Sequence, residues 1–180
     1  MIRAFLIAAI VQLVIASNAA GQSQSKPLIF NIKKWKLVDY GEGKRVGQLF
    51  AENDNSLNLQ IMCPFYEYTF LVRLGTIRTR FVGAPTGVSM GTRFMLGDRT
   101  VIRTKIGNYD RTEIWYMDSR TRQVAQHRHP HFFIKLLNRP NSKELLLYVT
   151  QETGKVVRRF DIAGFEAVMN FVGGTSRCRR

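Results

Sequence analysis

Short runs of alternating apolar and polar residues fill most of this chain, and glycine, proline or asparagine interrupts them at close intervals. The most regular stretch is Ser56–Leu74. Leu57, Leu59, Ile61 and Cys63 alternate there with Asn58, Gln60 and Met62, the period of a strand with one face inward. Pro64 cannot donate to a ladder, so the strand should end at it. Alternation resumes at Tyr68, Phe70, Val72 and Leu74, and the two runs together predict a hairpin. Upstream, Trp35–Tyr40 and Val46–Ala51 predict two strands joined across Gly41-Glu42-Gly43-Lys44. Downstream, Thr76–Phe81 predicts a strand entered through Gly75, and Arg93–Leu96 with Arg99–Ile106 predicts a second hairpin turning at Gly97-Asp98. Thr112–Met117 is a further strand. Leu145-Leu146-Leu147-Tyr148-Val149 is a continuous apolar run, as in a strand buried on both faces, and Lys155–Asp161 returns from Gly154. Only two segments have helical spacing. Pro130–Leu137 starts with proline at a first helical position, and Phe165, Val168, Met169 and Val172 give Gly164–Val172 one apolar stripe. The pattern predicts a mainly β, single-domain antiparallel sandwich or partly open barrel with one or two short helices, including a C-terminal amphipathic one.

Outside this body the composition changes. Met1–Arg3 is a short positive start, Ala4–Ser17 is apolar except for Gln12, and Ser17-Asn18-Ala19-Ala20 offers small residues to a peptidase. That is the layout of a secretory signal peptide over residues 1–20, cleaved after Ala19 or Ala20. A membrane anchor needs about 20 apolar residues, more than this run has. Residues 21–33 then read as a flexible leader, 34–173 as the β-domain and 174–180 as a basic tail. The expected location is the periplasm or the exterior. There, Cys63 and Cys178 are expected to form a disulfide, closing a loop of about 115 residues with a chain-entropy stabilisation of about 4–5 kcal/mol. The alternatives are two free thiols, or a Cys178 that pairs with another chain.

Charge narrows the partners without touching the fold. The chain has 27 Lys+Arg against 13 Asp+Glu, net +14, and signal cleavage removes only Arg3 from that balance. Arg73, Arg78, Arg80, Arg99 and Arg103, with Arg93, Lys105 and Arg111, fall on successive expected strands. Aligned on one face, their guanidinium groups would take phosphate or carboxylate bidentately, with lipopolysaccharide or an acidic polymer as ligand. Export makes nucleic acid the less favoured polyanion. The alternative is a solvated charged face. Lys33, Lys34 and Lys36 around Trp35 raise contact with a membrane surface, against a tryptophan that packs inward.

Two motifs suggest other chemistry. Gly87-Val88-Ser89-Met90-Gly91 matches G-x-S-x-G, but a nucleophile elbow needs a strand before it and a helix after it. Here a glycine- and proline-rich loop precedes and a strand is expected to follow, so no catalytic residue is assigned and no enzyme is expected. His127, His129 and His131 would share a face on a strand and are weak candidates for a zinc, copper or nickel site. Pro130 breaks that strand, and no cofactor is implied.

Several stretches carry a resemblance. Leu59-Gln60-Ile61-Met62-Cys63, Thr112-Glu113-Ile114-Trp115-Tyr116-Met117-Asp118-Ser119, Phe132-Phe133-Ile134-Lys135-Leu136-Leu137 ahead of Leu145–Val149, and Phe160-Asp161-Ile162-Ala163-Gly164-Phe165 ahead of Cys178 resemble exported bacterial envelope proteins of the type VI secretion-associated accessory kind. Pro85-Thr86-Gly87-Val88 and Gly164-Phe165-Glu166-Ala167 are also similar to invasion-associated locus B proteins. The resemblance, from about Trp35 to Cys178, implies a small periplasmic β-domain without an established catalytic site. The function expected is a non-catalytic envelope accessory or protein-interaction module linked to secretion or host contact, with an envelope protein or an anionic surface as partner. Polyanion binding is the alternative.

Overall fold

A computed structural model describes residues 26–52, 54–63, 70–85, 96–118, 120–140 and 142–173. The strands are β1 (Leu28–Ile32), β2 (Trp35–Asp39), β3 (Arg45–Ala51), β4 (Asp54–Cys63), β5 (Leu71–Thr76), β6 (Ala84–Pro85), β7 (Leu96–Ile106), β8 (Tyr109–Asp118), β9 (Val124–His127), β10 (Glu144–Gln151) and β11 (Gly154–Asp161). The helices are α1 (Pro130–Leu137) and α2 (Phe165–Gly173). Ten strands form one antiparallel sheet in the order β1-β2-β3-β4-β5-β9-β8-β7-β10-β11, with β6 paired to β7 beside that path. The fold is mainly β, and the sheet is not closed into a barrel.

Local sequence accounts for the meanders. Between β2 and β3, Gly41 and Gly43 take positive φ of 79° and 75°, and the Gly41 N–H donates to Asp39 Oδ1 at 2.8 Å. Between β7 and β8 the chain reverses over Gly107 and Asn108, with Gly107 at φ 54°. The β4–β5 hairpin pairs Leu57 with Thr76 through Met62 with Leu71, in the register expected from their alternation.

The sheet curls round a single apolar core. Trp35, Leu59, Trp115, Phe133, Phe160 and Phe165 all belong to it, from strands at opposite ends and from both helices. Curling brings β11 back toward the start of β4. The Glu52 N–H donates to the Arg159 carbonyl at 2.8 Å, and Arg158 Nη2 lies 2.6 Å from Asp54 Oδ2. Helix α2 lies over β2, β3 and β4, with the Phe165 ring 5.7 Å from that of Trp35. At the contact stands Gly47, where an added Cβ would run into Val168 Cγ1. The helix sits this close only because position 47 has no side chain.

The structure corrects several expectations. Leu28–Ile32, expected within the flexible leader, is strand β1. The strand expected at Thr76–Phe81 ends at Thr76, and Phe81 makes only an isolated bridge to Gln151. Gly97-Asp98 is no turn. It lies inside the continuous strand β7, where the register with β8 shifts between Leu96 and Asp98, so the glycine marks a bulge. Strand β10 is half-exposed on alternate residues rather than buried on both faces. Trp35 is wholly buried, which removes it from any membrane contact.

Candidate functional site

Three features stand out from a solvated β-surface: an unguarded sheet edge, a polar row across the outer face, and a buried acid–imidazole pair. The edge is β1. Among the described residues no strand lies beside its outer ladder, and Leu28, Ile29 and Phe30 are 62%, 53% and 48% exposed. Only Phe30 has a ring neighbour, Phe171 of α2 at 6.0 Å. Lys26, Lys33 and Lys34, all exposed, flank the strand. The opposite edge, β11, is built differently. Lys155, Arg158 and Arg159 lie along it, Arg159 pairs with Glu144 at 3.1 Å, and its backbone is engaged by Glu52. Charged residues are an ordinary protection of an exposed edge, and β1 has none within its five residues.

The row follows from register. Residues directly opposed on neighbouring strands share a face. Lys36 opposes Gln48, Gln48 opposes Gln60, and Gln60 opposes Arg73. Arg73 opposes Gln126 across the β5–β9 junction, and beyond it Tyr116 and Arg99 continue on β8 and β7. The row crosses seven strands at about 4.8 Å each, so it is about 29 Å long. Arg73 Nε donates to Gln126 Oε1 at 3.2 Å, and Gln60 Nε2 to Asn58 Oδ1 at 2.7 Å, which holds these side chains in the plane of the surface.

The five arginines singled out from the sequence therefore separate. Arg73 and Arg99 lie in the row. Arg103 shares their face, but it donates through Nε and Nη2 to both Asp110 oxygens at 2.6 and 2.7 Å and stacks 5.0 Å over Tyr148. That pair holds the Asp110 carboxyl below its ordinary value, chiefly through the hydrogen bond from Arg103. Arg78 and Arg80 are exposed in the bend after β5, off the sheet.

The histidines separate too. His127 ends β9 inside the core, with its ring 4.9 Å from both Trp115 and Phe133. His129 is the N-cap residue of α1, and its side chain makes no capping bond. Its N–H donates instead to His127 Nδ1 at 2.9 Å. That places the proton of a neutral His127 ring on Nε2, which lies 3.3 Å from Glu113 Oε1 without hydrogen-bond alignment. His131 faces the Phe70 ring at 6.3 Å. Among the described residues, no group of three or more His, Cys, Asp or Glu is gathered for a metal.

Glu113 also accepts from the Tyr109 hydroxyl at 3.0 Å. Burial pushes its carboxyl up, and the nearness of His127, Thr104 and Tyr109 more than offsets that, leaving it below its ordinary value. Burial, then the Glu113 charge, pushes Tyr109 up to about 12. Above the pair opens a surface cleft of about 690 Å³, lined by Glu113, His127, His129, Pro130, His131 and Phe132. The visible work of His127 is to fix the entry to α1, because its Nδ1 accepts the backbone N–H of the N-cap residue His129.

Cys63, at the end of β4, is buried at 2% exposure. Its expected partner Cys178 lies outside the described residues, as does Ser89. No helix among the described residues is long and apolar enough to cross a membrane.

Two of these features had a signal in the sequence that the strand reading passed over. Leu28, Phe30 and Ile32 alternate directly after Pro27, and Glu113 shares the inward parity of Trp115 and Met117. Of the row, the sequence offered only Arg73 and Arg99 on successive strands; its order and its uncharged members exist only through pairing. No family model, no curated protein and no solved structure matches the chain.

Proposed function

We infer that this chain is an exported, non-catalytic envelope module that takes a protein partner as an added strand on β1. The observation that carries it is the contrast between the two sheet edges. Edge β11 is charged and partly covered, whereas among the described residues β1 offers an open backbone ladder behind Leu28, Ile29 and Phe30. An extended segment pairing there gains main-chain hydrogen bonds for affinity and side-chain pockets for specificity. Lys26, Lys33 and Lys34 around the edge favour a segment with acidic flanks.

The setting goes with this role. A signal sequence over residues 1–20 sends the chain to the periplasm or beyond, where a Cys63–Cys178 bridge would be stable. Burial of Cys63, and the absence of a free cysteine among the described residues, support that bridge. The resemblance to type VI secretion-associated accessory proteins points to the same kind of role.

Amide exchange tests the edge. Peptides of alternating valine and threonine, one with glutamate flanks and one with lysine flanks, are added to the folded chain. The glutamate-flanked peptide should slow exchange across Leu28–Ile32, the lysine-flanked one should not, and Ile29→Pro should abolish the effect while leaving the melting temperature in place. Equal protection by both peptides, protection in neither case, or self-association through β1 in peptide-free protein would remove the proposal.

A further inference from the structure

We propose that the outer sheet face is a second binding site, separate from β1, and that it takes an acidic polysaccharide laid across the strands along the Lys36–Arg99 row. The spacing of charge in the row selects this ligand class. Cations stand at its first, fourth and seventh positions, Lys36, Arg73 and Arg99. Consecutive cations are three strands apart, about 14 Å. Each gap holds two uncharged hydrogen-bonding side chains: Gln48 and Gln60 in one, Gln126 and Tyr116 in the other. No acidic residue occurs in the row.

A nucleic acid strand or a polyphosphate carries an anion on every unit, so it needs a dense run of cations rather than three separated ones. Its bases also need stacking platforms, and the row offers one aromatic side chain, Tyr116. A polysaccharide with one carboxylate in every two or three sugars fits better. Its carboxylates meet guanidinium or ammonium groups, and its hydroxyl and acetamido groups meet amides that both donate and accept. The row is also prearranged: hydrogen bonds hold Arg73 to Gln126 and Gln60 to Asn58, so less side-chain freedom is lost on binding. Arg103, occupied by Asp110 and Tyr148, is left out of the site although it shares the face.

The test compares polymers at matched ionic strength by isothermal titration. Hyaluronan, with one carboxylate per disaccharide, serves as the sparse acidic chain, dextran as the neutral one, and heparin and single-stranded oligothymidylate as the dense ones. Hyaluronan should bind more tightly than any of the other three. The double variant Lys36→Gln/Arg99→Gln should weaken hyaluronan about tenfold or more, as expected for the loss of charge-assisted hydrogen bonds. Arg120→Gln/Lys155→Gln removes the same charge away from the row and should leave binding unchanged. Thermal melts of both variants confirm that they fold. Tightest binding to heparin or to the oligonucleotide, equal weakening by both variants, or no hyaluronan binding by the parent chain would each overturn the assignment. Amide exchange at β1 is read in the same samples and should not respond to the polymer, so loss of one site leaves the other separately measurable.

Discussion

A carboxylate inside a protein loses hydration that only nearby donors can replace; Glu113 accepts from the Tyr109 hydroxyl, and the His127 ring stands 3.3 Å away. Its lowered pKa fixes the sign of the pH effect. A carboxyl that binds its proton more weakly folded than unfolded contributes stability above the ordinary glutamate range. That contribution is lost as pH falls through the lowered folded value. Glu113→Gln should therefore destabilise the chain by about 1–3 kcal/mol at neutral pH, and the gap should close on acidification. Urea denaturation of both proteins at intervals from about pH 7 to about pH 3 measures it. His127→Phe alone should also destabilise, because it withdraws a partner from a buried charge. Combined with Glu113→Leu it should recover part of the loss, and a double-mutant cycle reads the coupling directly. Only the Glu113 half of the pair was legible in the sequence, through its inward parity; the three histidines look equivalent there, and the β8–β9 pairing of Trp115 with His127 shows which one is inside.

At the scale of elements, periodicity carried well where packing is one-sided. Strands β2 to β5 and both helices lie close to where their apolar positions place them, because each buries one face against the same core. It failed where backbone geometry decides. Gly97 looked like a turn and is a bulge, while the actual reversal at Gly107-Asn108 falls just past the expected strand Arg99–Ile106, where no turn was expected. The seating of α2 on Gly47 is equally invisible in a linear pattern. Gly47→Ala should force Val168 aside and cost about 1–3 kcal/mol by overpacking. Val168→Ala in the same chain should relieve the clash, so the double variant should be less destabilised than the two single changes added together. Thermal melts of the four proteins decide it.

For the whole molecule, fold class was legible because strand spacing and the scarcity of helical stripes leave few architectures. Strand order was not, since nothing local says that β5 pairs with β9 rather than with the next strand. The covalent tie expected from Cys63 acts at this scale. The folded chain should take up no alkylating reagent before reduction and two equivalents after it. Cys63→Ser should lower stability by up to about 4–5 kcal/mol in urea denaturation, and uptake without reductant would exclude the bridge. The reversed placement of β7, β8 and β9 has a further consequence in time. The bond from Arg73 to Gln126 joins positions 53 apart in the chain. A polypeptide delivered N-terminus first at about 5–20 residues per second completes the first meander several seconds before its neighbour exists. Through that wait the backbone of Leu71–Thr76 stands bare, the segment most open to capture by a wrong strand or in need of a chaperone's hold.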